Sequence, residues 1–154
     1  MASLTGARNR HLRSERGAEL LEFALVLPIL LLVLAGILDM GFLFKNFEVV
    51  TNAAREGARM ASLPGWVETD VVTRVNRYLA AGGLQGPATT TIENVVIVTD
   101  AVTGRSITGI KVTVAYPHTF MILGPITRLL QGTAVPNTTL RAVATMRTER
   151  AAGL

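Results

Sequence analysis

An α+β fold, with a long N-terminal helix, a second helix and a three-stranded antiparallel sheet, follows from three observations on the 154-residue sequence. Residues 23–44 form an apolar run whose only charge is Asp39. Residues 67–83 place apolar side chains at helical spacing, and three later stretches are rich in β-branched residues. Helices followed by a strand meander pack as one sheet with a helix on its face. The length suits one such unit plus an accessory helix, and is too short for two ordinary domains.

The first element is the apolar run itself. At about 22 residues it measures roughly 33 Å as a helix, enough to cross a bilayer core. The helix continues through "KNFEVVTNAAREGARMASLPG", where Phe47, Val50, Ala54 and Ala58 repeat every three or four residues and form an apolar stripe. Pro64 and Gly65 stop it. One helix over 18–62 is therefore expected, roughly 67 Å long, with its membrane-spanning half at 23–44 and an α+β domain at 66–150. Ala53, Ala54, Gly57, Ala58 and Ala61 permit close approach, either by the chain's own sheet or by a partner helix. Asp39, near the far end of the span, fits the outer membrane interface or a pairing with a basic group on a partner helix.

"VETDVVTRVNRYLAAGG" reads as the second, amphipathic helix. Thr69 or Asp70 can cap it, Val71, Val72, Val75, Tyr78 and Leu79 line one face, and Gly82-Gly83 end it. "GGLQGPATTT" is a loop. "IENVVIVTD" and "SITGIKVTVAYP", separated by "AVTGR", form an antiparallel hairpin, and "TTLRAVATMRTE" gives the third strand. In that strand Leu140, Ala142 or Val143, and Met146 alternate with polar residues. Between the last two strands, "TFMILGPITRLLQG" is apolar, interrupted by Gly124-Pro125 and too short to span a membrane. It is expected to cap the sheet; a subunit contact or a patch on the outer leaflet are the other readings.

A net charge of +4 and a pI near 10.3 suggest nucleic acid until the charge is located. Arg8, Arg10, Arg13 and Arg16 face only Glu15 within residues 1–17, so most of the excess is N-terminal. In the body, Arg55, Arg59, Arg74, Arg77 and Arg105 alternate with Glu48, Glu56, Glu68 and Asp100, which is no phosphate-binding surface. Nucleic-acid binding is not expected. With no cysteine there is no disulfide and no thiolate chemistry. His11 lies in the basic segment and His118 alone in the body, too few for a histidine metal site. Glu68 and Asp70 fall two apart on a helix and point to different faces. No enzyme, cofactor or metal is expected.

The basic segment ahead of the span predicts a cytoplasmic N-terminus and an extracytoplasmic domain. A secretory signal peptide also has a basic segment and an apolar run. Here, however, the run is longer, and it continues through "AGILDMGFLF" where a cleavage site should lie. Two carboxylates, Glu19 and Glu22, also stand at its threshold. The sequence from Gly17 and Ala18 to Glu22 and Phe23 resembles the prepilin peptidase motif of type IV pilins and their relatives. Taken with "VTNAAREGARMA" and "LRAVATMRTE", the chain resembles the TadE-like minor pseudopilins of the tight-adherence (Tad, type IVc) pilus system.

That resemblance implies a pilin-like fold and cleavage by a membrane-embedded aspartyl prepilin peptidase between Gly17 and Ala18, which removes leader 1–17. Glycine suits the cut, because the backbone without a Cβ can approach the catalytic dyad closely. Glu22 then becomes the fifth residue and is implied to pair with the new ammonium at Ala18 of a neighbouring subunit, a compensated charge in a low-dielectric setting. Phe23 supplies the aromatic that follows it. Glu19 has no counterpart and reads as an interfacial carboxylate. Pro28 should kink the span, either as a tolerated membrane proline or as a point of local melting during filament packing.

The implied partners are the prepilin peptidase, other pilins and pseudopilins of the same system, the inner-membrane assembly platform and membrane lipid. The protein is thus expected in the inner membrane, single-pass, and in an extracellular pilus after assembly. A rival reading needs no resemblance: an uncleaved, single-span anchored extracytoplasmic binding domain whose helix is only a tether.

Overall fold

The computed structural model describes residues 8–99, 104, 106–133 and 136–148, with residues 8–16 and Gln131 described in backbone only. The first seven residues of the expected leader, most of the "AVTGR" turn and the end of the last expected strand lie outside the described residues. The first helix, α1 (Arg8–Ala61), has 54 residues and is roughly 81 Å long. It begins within the basic segment, ahead of the expected start, and passes through Pro28 without a break in the assigned helix. Its C-terminus falls where the breakers stand: Ser62 Oγ donates to Arg59 O at 2.8 Å, and Gly65 takes a φ of 76° that disfavours other residues.

Helix α2 (Glu68–Ala81) buries Val71, Val75 and Leu79, one residue per turn. The face is narrower than expected, since Tyr78 is exposed and Val72 only half-buried. Nor do Thr69 or Asp70 cap it: both lie inside the first turn, and the N-cap position is Val67, with no side-chain bond. Glu68 and Asp70 instead place negative charge against the positive end of the helix dipole. At the other end, a Cβ on Gly82 would lie 2.3 Å from Val49 Cγ1, so glycine is what lets α2 end against α1. Gly83 then turns the chain with a φ of 85°.

Three strands follow, β1 (Thr89–Thr99), β2 (Ser106–His118) and β3 (Thr138–Arg147), in the antiparallel order β1-β2-β3. β1 starts at Thr89, inside the stretch expected as loop, because three β-branched threonines extend the ladder opposite Ala115, Val114 and Thr113. In register, Ile92 faces Val112, and Val112 faces Ala144; Glu93 and Lys111 face each other and form an ion pair.

The core lies between the sheet and the upper half of α1. Ile110, Val112 and Val114 from β2, with Leu140 and Ala142 from β3, are buried with Val50, Ala53, Ala54, Ala58 and Ala61 of α1. Ala142 is the inward residue and Val143 points out, 55% exposed, which settles the open alternation. The expected stripe holds for Val50, Ala54 and Ala58 but not for Phe47, which is exposed. The small residues serve packing within the chain: a Cβ on Gly57 would stand 2.7 Å from Val75 Cγ2 and 3.2 Å from Val112 Cγ1.

The segment between β2 and β3 differs from expectation. Residues 123–131 form a helix, α3 (Leu123–Gln131), with Gly124-Pro125 in its first turn rather than breaking it. A first-turn amide has no intrahelical acceptor, so proline there loses nothing. The helix does not cap the sheet; it packs on α1, and Leu129 and Leu130 are 87% and 72% exposed.

Candidate functional site

The expected processing and assembly residues occupy the bare half of α1. Every described side chain from residue 17 to residue 34 is exposed. This half contains a stretch of mean hydropathy 2.7 that is only 6% buried, which excludes a core helix of a globular domain. It is long and apolar enough to cross a membrane. Gly17, Ala18, Glu22 and Phe23 lie together at its start; nothing approaches within 4 Å of a Cβ built on Gly17. Among the described residues, Glu19 and Glu22 make no hydrogen bond or ion pair.

Asp39 stands apart, roughly 25 Å further along the helix from Glu22, and its partners belong to its own chain rather than to a basic group on a partner helix. It is 1% exposed, and its carboxylate is occupied by the chain's own backbone. Oδ1 accepts from the amides of Met121 and Ile122, both at 3.1 Å. Oδ2 accepts from Ile122 at 3.2 Å and Leu123 at 2.7 Å. These amides form the N-terminus of α3, where Ile122 is the N-cap and offers no side-chain bond. Asp39 therefore caps α3 from another helix, meeting orphan N–H groups and the positive dipole end with one negative charge. Sequence reading missed Met121, Ile122 and Leu123 as partners. Two signals were present: a carboxylate in an apolar helix, and a segment with no Ser, Thr, Asp or Asn in the three residues before Leu123.

Two turns higher, Asn46 Nδ2 and His118 Nδ1 share a hydrogen bond at 3.1 Å. His118 is 4% exposed and meets the Phe120 ring edge-on, with centroids 5.4 Å apart. The pair fastens the end of β2 to α1. Among the described residues no group of three or more His, Asp or Glu side chains is placed to hold a metal.

At the far end, Glu56 accepts from Arg59 Nε and from Arg74 Nε, both at 3.0 Å, and from Arg74 Nη2 at 2.8 Å. Hydrogen bonds from Arg59 and then Arg74 hold its carboxyl at about 2, against an ordinary 4.5. These residues line an open groove with Asp70 and Arg77, in which the charges largely cancel.

An exposed apolar helix, long enough to cross a membrane, becomes in its second half the core helix of an α+β head, the layout of a domain carried on a single-pass anchor. No curated protein and no solved structure matches the chain. The model of the family described as TadE-like protein matches residues 17–59, so the similarity covers the apolar stretch and the core half of α1.

Proposed function

We propose that the chain is a minor pseudopilin of a tight-adherence type IV pilus, a structural component and not an enzyme. It is inserted with its basic segment in the cytoplasm, and prepilin peptidase cuts it between Gly17 and Ala18. The mature helix then joins other pilins and pseudopilins at the inner-membrane assembly platform, priming or building the filament. Glu22 pairs with the Ala18 ammonium of a neighbour, and Phe23 packs beside it. Pro28 lies in the half of α1 that would pack against those neighbours.

One observation carries this reading. Gly17, Ala18, Glu22 and Phe23 stand in register at the foot of a bare apolar helix, and the TadE-like match begins at that same glycine. The test is the intact mass and N-terminal sequence of the protein from its host membranes, with and without the host's prepilin peptidase. An N-terminus at Ala18 that depends on the peptidase is expected. A full-length chain in both strains would leave the tethered-domain reading. Separately, Glu22→Leu is expected to be cleaved yet to abolish incorporation into pili; normal assembly would remove the pairing role.

A further inference from the structure

We propose that α3 is a membrane-interfacial helix whose exposed leucines lie in the acyl region of the head-side leaflet, beside the anchor. The inference rests on the anchor reading of residues 23–44 and adds a second lipid contact to it. The carrying observation is depth. β2 and β3 end level with Asn46, where His118 is fastened. The chain then leaves the sheet and descends to Asp39, where Met121, Ile122 and Leu123 are held. Asp39 lies roughly 8 Å inside the apolar run that ends at Phe44.

Burial on α1 marks the same joint. Among its described residues before Val50, only Asp39 and Ala35, one turn deeper, are buried. At that depth the other faces of α1 expose Ile37 at 63% and Leu38 at 46%. α3 likewise exposes apolar surface, at Leu129 and Leu130, with Met121 just before it at 67%. A helix whose first turn is held roughly 8 Å inside the apolar run, with exposed leucines and one arginine, Arg128, near its end, matches an interfacial element. In water, two adjacent leucines this exposed would be an association hazard.

The test uses the full chain in phosphatidylethanolamine and phosphatidylglycerol vesicles. Because the sequence has no cysteine, Leu130→Cys, Leu31→Cys and Val143→Cys each take one nitroxide label without further change. Access to oxygen and to a water-soluble nickel chelate is compared by power saturation. Leu130 is exposed, so its replacement leaves packing intact, and Leu129→Cys serves as a second probe of the same face. The expected result is a Leu130 label that behaves like the Leu31 label, open to oxygen and closed to nickel, with Val143 showing the reverse. A Leu31 label in lipid and a Leu130 label in water overturns the inference and leaves the anchor. A Leu130 label closed to both reagents also overturns it, because a protein, such as a second copy, then covers α3. A Leu31 label in water defeats the anchor reading and this inference with it.

Discussion

The two halves of α1 share one backbone and face different surroundings, and their side chains record the difference. Over residues 20–42 the helix carries leucine, isoleucine, valine and phenylalanine on all sides, every one exposed in the isolated chain. Toward the C-terminus the inward positions are Val50, Ala53, Ala54, Gly57, Ala58 and Ala61, all buried against the sheet and α2. Large side chains suit a solvent of acyl chains that fills any shape. Small ones suit a fixed neighbour that must come close. Gly57 and Gly41 are the same residue in the same helix, yet a Cβ meets Val75 at 2.7 Å in one and nothing within 4 Å in the other.

The sharpest way to break this comparison is Gly57→Leu against Gly41→Leu. Gly57→Leu forces the core apart and is expected to destabilise the head by about 3 kcal/mol or prevent its folding. Gly41→Leu should leave the head's thermal unfolding in detergent unchanged. Equal behaviour of the two variants would mean that the halves do not differ as described.

Next in size is Asp39→Ala. It leaves three amides without a charged acceptor, and a loss of about 2 kcal/mol at the α3 joint is expected. Hydrogen exchange would read this as faster exchange at Met121–Leu123, with the core strands little changed. Asp39→Asn should fall between, since an amide oxygen still accepts but the charge is gone.

Glu56 tests the head alone. Its carboxyl is depressed to about 2, so its stabilising contribution is complete above the ordinary value of 4.5. It is lost as pH falls from there through the folded value. The head's unfolding midpoint should drop over that window. Glu56→Gln should lower it by about 1 kcal/mol at neutral pH, discounted because both arginines are partly exposed, and flatten the acid response. Smallest of all is Val143→Thr on the outer face of β3, expected within about 0.5 kcal/mol of the parent by chemical denaturation.

Much of this layout was legible because the deciding forces are local. Val71, Val75 and Leu79 declare their helix by spacing, Pro64 and Gly65 end α1, and β-branched runs mark the strands. Thr89–Thr91 were misread as loop because they follow a Gly-Pro pair, whereas pairing with β2 decided their state. Phe47 fell out of the apolar stripe because periodicity gives a face but not its width. The Asp39 joint was illegible for a different reason. Its partners are backbone amides, which every residue but proline carries, so no residue type announces them. The exposed face of α3 follows the same limit: an amphipathic pattern states that one side is apolar and not which solvent covers it.

The Asp39 cap also has a consequence in time. Its carboxylate and the amides it accepts from are separated by 82 to 84 residues. A chain made from its N-terminus brings Asp39 to the membrane before Met121 exists. At about 5–20 residues per second of synthesis, the wait lasts roughly 4–17 s. Over that interval the charge lacks the amides that satisfy it in the folded chain. The carboxylate gains its amide partners only when α3 arrives, so completion of this joint awaits most of the chain that follows Asp39.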